Sequence, residues 1–346
     1  MSWLSDYDDP YERYDESLIR ERPNPKANRP RTKQRPEHGD AHDGFVTSVD
    51  RGRYSVVIDE GGAQERSITC TRARELRKEA IVAGDRVDVV GDVSGNEGTL
   101  ARIVRIQPRT TLLRRSADDS DEFERVIVAN ADTMLMVTAA ADPEPRPRLI
   151  HRYLVAAYDA GVTPIMVVTK TDLADPQPLL AHFEGFGIET FFSTPDAPPV
   201  EALGKRLEGR ISVAVGHSGV GKSTLVNALV PDAKRATGHV NAVTGRGRHT
   251  SSSTASYRIG GGWIIDTPGV RSFGLGHVDT ASIIAAFPAL AEVAATCPRG
   301  CTHLADAPDC AMAEAAEAGS LDSRLVSSMQ SMLETLVTAR QGRFDF

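Results

Sequence analysis

The stretch ISVAVGHSGVGKSTLVNAL, residues 211–229, sets a short apolar run before a glycine-rich turn and a run of helix formers. Its centre fits the phosphate-loop pattern G-x-x-x-x-G-K-[ST], with the strand, turn and helix that the pattern requires on either side. Gly216, His217, Ser218, Gly219, Val220 and Gly221 are predicted to aim backbone N–H groups at phosphate oxygens, with the helix N-terminus adding a favourable dipole. Lys222 then reaches the β- and γ-phosphates, Ser223 ligates Mg²⁺, and Thr224 completes the nucleotide-contacting set. Strand Ile211–Val215 followed at once by helix is the unit of an α/β fold with a parallel sheet.

Working outward, further apolar runs occur at Thr133–Ala139, Pro164–Val168, Ile188–Phe192 and Trp263–Ile265, with helical spacing at Leu149–Ala160 and Val200–Leu207. Two of these runs end in chemistry. Trp263–Ile265 leads into Asp266-Thr267-Pro268-Gly269, where Asp266 can hold Mg²⁺ through water and the Gly269 amide can sense a γ-phosphate. Pro164–Val168 closes on Thr169-Lys170-Thr171-Asp172. A carboxylate at Asp172 can accept hydrogen bonds from guanine N1 and N2, a donor pair adenine lacks, while the Lys170 stem packs along the base. Thr169 stands where Asn is usual, and Ser193, after Ile188–Phe192, is a candidate to close the base pocket through its backbone. The expected ligand is therefore GTP or GDP with Mg²⁺. The guanine motif precedes the phosphate loop, the reverse of the ordinary order. A parallel sheet brings its strand ends to one crevice whatever their order, so the pocket survives this circular permutation.

Upstream, residues 43–108 change character. Short β-like runs at 44–46, 54–58, 84–90 and 99–106, separated by Gly and Asp turns, predict a small five-stranded barrel of OB type, with an SH3-like barrel as the alternative. Residues 1 to about 40 are rich in charge and proline and are expected to be disordered. Within them, residues 1–18 hold six acids and one base, and residues 20–35 hold seven bases and one acid. That basic half is either a solvated tail or an arm for RNA phosphates. The whole chain of 346 residues has a net charge of −7, which taken alone argues against a nucleic-acid partner. Averaging over segments of opposite sign makes that argument weak. No apolar run approaches the 18 residues of a membrane span, and the acid-rich N-terminus lacks the apolar core of a signal peptide, so a cytosolic protein is expected.

Downstream of 276 the chain is Ala-rich and helical and ends in an expected helix over Leu321–Arg340. Cys297, Cys301, His303 and Cys310 interrupt it with three thiols and one imidazole, a tetrahedral set for one structural Zn²⁺. Cys70 lies apart in the barrel and is read as packing.

With the permuted order, the barrel before it and the Cys/His cluster after it, the chain resembles the ribosome small-subunit-dependent GTPase A family. Matching segments are Gly84-Asp-Arg-Val, Arg114-Arg115, residues 216–225, Gly247-Arg248-His249-Thr250 and residues 266–275. The resemblance implies three modules after a charged arm at 1–42. These are an RNA-binding OB barrel at 43–110, a permuted GTPase domain at 111–275 and a zinc-binding helical domain at 276–346. It implies a cytoplasmic, monomeric enzyme whose GTP hydrolysis is stimulated by the small ribosomal subunit during late maturation, the barrel and zinc modules touching rRNA. It also places switch I at 247–250, with Thr250 as a Mg²⁺ ligand. Val270 occupies the position where many GTPases carry the Gln that orients water, so intrinsic turnover should be slow and His249 is a candidate to take over that task. Two other readings stay open: a GTP-gated RNA-binding module with negligible turnover, and a P-loop ATPase or kinase, against which Thr169–Asp172 counts.

Overall fold

The computed structural model describes residues 38–76, 79–116, 124–230, 254–267, 273 and 275–340. Five strands come first: β1 (His42–Asp50), β2 (Arg53–Ile58), β3 (Arg66–Arg72), β4 (Arg86–Gly91) and β5 (Ala101–Ile106). They close into a barrel in the order β1-β2-β3-β5-β4, because β1 pairs antiparallel with both β2 and β4 while β3 and β5 pair in parallel. That Greek-key closure is the OB arrangement. Val46, Tyr54, Val56, Ile58, Ile68, Cys70, Val87, Val89 and Ile103 fill it. Burial pushes the Cys70 thiol up to about 12, in keeping with packing and not reactivity.

A hairpin of β6 (Leu112–Ser116) and β7 (Glu124–Ala129) follows. The nucleotide-binding sheet then takes β8 (Thr133–Ala139), helix α1 (Pro147–Asp159), β9 (Thr163–Thr169), α2 (Gln177–Leu180), β10 (Glu189–Ser193), α3 (Val200–Leu207), β11 (Ile211–Val215), α4 (Lys222–Leu229), β12 (Ala255–Ile259) and β13 (Gly262–Asp266). Strands β10, β9, β8, β11 and β13 run parallel in that spatial order, and β12 joins β13 as an antiparallel edge. Every residue of β8 is buried, as a parallel strand covered on both faces must be. Leu135, Val137 and Ala139 face the core beneath α3 and α4, while Met134 and Met136 face the core beneath α1.

The last described part is helical: α5 (Thr280–Ala285), α6 (Pro288–Ala294), α7 (Ala311–Glu317) and α8 (Ser323–Arg340). Val326, Met329, Met332, Leu333 and Leu336 on α8 share a core with α1, so this part is welded to the nucleotide-binding sheet. Gly185 lets the chain pass against α8; a Cβ there would lie 2.5 Å from the Leu325 Cα. Among the described residues no helix is long and apolar enough to cross a membrane.

Barrel and parallel sheet are not separate bodies. Ser48 of β1 pairs with Ala255 of β12, which makes one continuous eleven-stranded sheet. On the other flank, Gly84 (φ +90) presses on β7, where an added Cβ would come within 2.0 Å of the Ala129 carbonyl. The next residue, Asp85, is fully buried and takes a two-pronged ion pair from Arg109, at 2.7 and 2.8 Å, plus the Val82 amide. Asn130 completes the joint by bonding the Thr110 amide and the Gly84 carbonyl. The segment Gly84-Asp-Arg-Val is thus a fastening and not merely a turn into a strand.

Candidate nucleotide and metal sites

The C-terminal ends of β8, β9, β10, β11 and β13 open on one crevice. Register shows it: Ala139 lies level with Thr169, Thr169 with Ser193, and Ala214 with Asp266. The phosphate loop leaves β11 at Gly216, where a Cβ would sit 2.4 Å from the Val137 carbonyl, so only glycine fits. Gly219 and Gly221 take φ of +84° and +90°, the left-handed region that lets successive amides turn inward. Gly221 caps α4, and Lys222, Ser223 and Thr224 form its first turn. Ser218, Ser223 and Thr224 are exposed towards the crevice mouth, and the His217 ring Nδ1 lies 2.8 Å from the Ser218 carbonyl. The Lys222 ammonium pairs with the Asp266 carboxylate, both largely shielded from water. The two residues read from separate motifs as phosphate and Mg²⁺ partners therefore meet.

Thr169, where the sequence pattern usually has Asn, is buried at the end of β9. Its hydroxyl lies 2.5 Å from the Val220 carbonyl and 3.1 Å from that of Thr138. One side chain thereby ties the base-recognition loop to the phosphate loop. Lys170, in the left-handed region at φ +55, donates to the Asp142 carbonyl, which anchors its ammonium. The Ser193 carbonyl accepts from the Thr171 amide at 3.4 Å, which ties the end of β10 to the segment Thr169–Asp172. Asp172, at the end of the motif, is exposed. The roles of Asp142 and Thr138 were not readable from sequence, because both act through carbonyl groups. His249, Thr250 and Gly269 lie outside the described residues, as do Val270 and the arm at 1–37.

Cys297, Cys301, His303 and Cys310 converge in the loop between α6 and α7, their ligand atoms all within 4.8 Å of one another. A tetrahedral Zn²⁺ with Zn–S bonds of about 2.3 Å would set its sulfurs about 3.8 Å apart, so the set fits such an ion with small adjustment. The loop is shaped for it: Gly300, His303 and Asp309 all have positive φ, and Cys310 forms the N-cap of α7. Burial raises the Cys301 thiol and the neighbouring Cys310 and Cys297 raise it further, a crowding of sulfurs that a bound cation would relieve. Burial lowers the His303 pKa, which favours the neutral, ligating imidazole.

The RsgA GTPase family model matches residues 106–276. The small ribosomal subunit biogenesis GTPase RsgA of Pseudomonas fluorescens (strain SBW25) is 39% identical over 266 residues, which cover 74% of this chain and 75% of that protein. The corresponding protein of Pseudomonas savastanoi pv. phaseolicola is 36% identical over 307 residues, 86% of this chain and 87% of its own length. The chain belongs to the RsgA GTPase family. Solved structures agree on the fold. YjeQ from Thermotoga maritima superposes with a TM-score of 0.63 at 24% identity, covering 86% of this chain and 99% of its own. YloQ, described as a circularly permuted GTPase, gives 0.61 at 23% identity, covering 87% and 96%.

Proposed function

We infer that this chain is a GTP phosphohydrolase acting in maturation of the small ribosomal subunit. The observation that carries the reading is the single crevice in which Thr169–Asp172, Gly216–Thr224 and Asp266 meet despite their permuted order, in a chain of the RsgA GTPase family. In this reading Asp172 selects guanine, the loop amides and Lys222 hold the phosphates, and Ser223, Asp266 and Thr250 hold Mg²⁺. Held there, Mg²⁺ would supply neutralisation of the charge that develops on the phosphate oxygens. Water attacks the γ-phosphorus and GDP leaves. With Val270 unable to orient that water, His249 does so once a partner docks. Such activation supplies about 10³–10⁵ in rate.

The proposed division is 43–110 for an RNA-binding barrel, 111–275 for the GTPase domain and 276–346 for a zinc domain. Zn²⁺ held by Cys297, Cys301, His303 and Cys310 would add on the order of 10 kcal/mol to folding of the α6–α7 loop region. The barrel offers rRNA one basic row. Arg53 of β2 lies opposite Thr71 of β3, which lies opposite Arg102 of β5, so one row across the outer face carries two exposed guanidiniums. Exposed Arg51 stands at the β1–β2 turn beside this row, and Arg72 and Arg74 lie at the end of β3. Residues 276–346 hold nine acids and four bases, so a zinc-domain contact with rRNA would gain little from phosphate attraction.

The test is GTP turnover by the purified protein alone, with small subunits and with large subunits. Stimulation by small subunits only is expected, with Lys222→Ala abolishing it. Equal turnover in all three conditions, or an active Lys222→Ala variant, overturns the reading.

A further inference from the structure

A second polar and aromatic cluster lies away from the crevice, where the barrel meets the hairpin β12–β13. Phe45 of β1 and Trp263 of β13 stack with centroids 4.9 Å apart and planes at 18°. Arg86 of β4 lies over the Phe45 ring and Arg258 of β12 over the Trp263 ring, each 4.9 Å from the centroid. Glu60, in the loop after β2, joins the set. Its Oε1 accepts from the Trp263 Nε1 at 2.6 Å and from the Arg258 Nη1 at 2.7 Å, and its Oε2 accepts from Arg86. One barrel carboxylate thus binds two side chains of the nucleotide-binding sheet and one of the barrel. Charge-assisted bonds and stacked rings of this kind are among the stronger and more directional contacts available to side chains.

The hairpin it grips leads to the site. Arg258 pairs with Trp263 near the turn, and Ala255 pairs with Asp266 at the other end, where Ser48 and the Thr47 carbonyl also hold it. From Trp263 to Asp266 is three residues of strand, roughly 10 Å. The barrel row of Arg53 and Arg102 belongs to the same closed barrel as Phe45, Glu60 and Arg86. This cluster and the Ser48 bridge join that barrel to the hairpin.

We propose that Glu60 is a positioning residue that couples the barrel to the GTPase centre, so that a nucleic acid bound on the barrel accelerates hydrolysis through the β12–β13 hairpin. The inference rests on the reading above, in which small subunits stimulate turnover. Its test uses the full chain in a Trp3→Phe background, which leaves Trp263 as the remaining indole. Glu60→Ala is expected to shift Trp263 emission to longer wavelength while cooperative unfolding persists. It should also lower subunit-stimulated turnover by about three- to tenfold, with intrinsic turnover within about twofold and pelleting with small subunits retained. Trp263→Phe, which keeps the stack and loses the N–H, should fall in the same direction by less, and Glu60→Gln, which keeps an acceptor, should recover part of the loss. Full stimulation of Glu60→Ala despite shifted emission overturns the proposal. So does a parallel loss of intrinsic and stimulated turnover, the mark of a merely structural role. If the unaltered protein itself is not stimulated, the functional reading has failed, and the coupling falls with it.

Discussion

At the scale of single residues, the site is built from side chains whose tasks can be separated by substitution. Asp172 is exposed, and in the proposed reading its two acceptor oxygens meet the guanine N1 and N2 donors. Asp172→Asn should weaken GTP binding by about a hundredfold or more, since one guanine N–H then meets an amide donor and the bond that remains loses its charge. The same variant should gain affinity for xanthosine triphosphate, whose C2 carbonyl can accept from the new amide. Competition of the two nucleotides against a fluorescent GDP analogue measures both effects, and unchanged guanine preference would remove Asp172 from the base site. His151 carries a different kind of consequence. It is buried on α1 with its Nε2 unpartnered and its ring edge-on to Phe183. Burial lowers its pKa to about 4, against a partly compensating bond to the His182 backbone and a further lowering by the charge of His182. The unfolded chain therefore binds a proton below about pH 6.5 that the folded chain refuses down to about pH 4, so stability is lost as pH falls through that window. Urea unfolding at pH 7 and pH 5 should show about 2 kcal/mol less acid loss for His151→Leu than for the unaltered protein. Equal pH sensitivity would exclude His151 as the source.

At the scale of elements, the joints decide more than the strands themselves. Gly84 has a positive φ and no room for a Cβ beside the Ala129 carbonyl. Gly84→Ala should cost at least about 2 kcal/mol, read as a lower urea midpoint with an unchanged slope. A loss below about 0.5 kcal/mol would mean that the barrel is not fastened there. What was legible in the sequence follows the same division. The phosphate loop, guanine motif and Cys/His cluster were legible because each needs fixed residue types at fixed spacing, and β11 falls where the sequence predicts it, at Ile211–Val215. Strand β3 was not legible: in Arg66–Arg72 only Ile68 and Cys70 point inward, and five polar residues mask the period. Strand β12 was missed for a similar reason, its alternation being weak and its pairing with β1 set by a distant part of the chain. One clue to that pairing was present. Phe45 next to Val46, and Val57 between Val56 and Ile58, break the alternation of a half-exposed barrel strand, because their outward faces are covered by Trp263. Fully buried Asp85 and the Glu60 cluster are long-range pairings that no local pattern encodes.

At the scale of the whole molecule, charge is partitioned and its sum misleads. The net −7 combines an acidic first segment, a basic second one and the acid-rich residues 276–346, where nine acids face four bases. The barrel row of Arg53 and Arg102 survives this average because its two guanidiniums share one exposed face across β2, β3 and β5. Phosphate contacts made by such a row release counterions, so affinity falls with salt in proportion to the number of contacts. The double variant Arg53→Ala/Arg102→Ala should therefore bind small subunits more weakly at every salt concentration. Its slope of log affinity against log salt should be shallower by roughly 0.7–0.9 for each phosphate contact removed. Intrinsic GTP turnover should stay unaltered, since neither residue reaches the crevice. Arg299→Ala/Arg324→Ala in the zinc region should leave the slope as it was, because residues 276–346 are acid-rich and Arg324 already pairs with Asp322 and Glu184. A slope unmoved by the barrel substitutions and reduced by the zinc-region pair would reverse the assignment, and place the nucleic-acid face on the acidic end of the molecule.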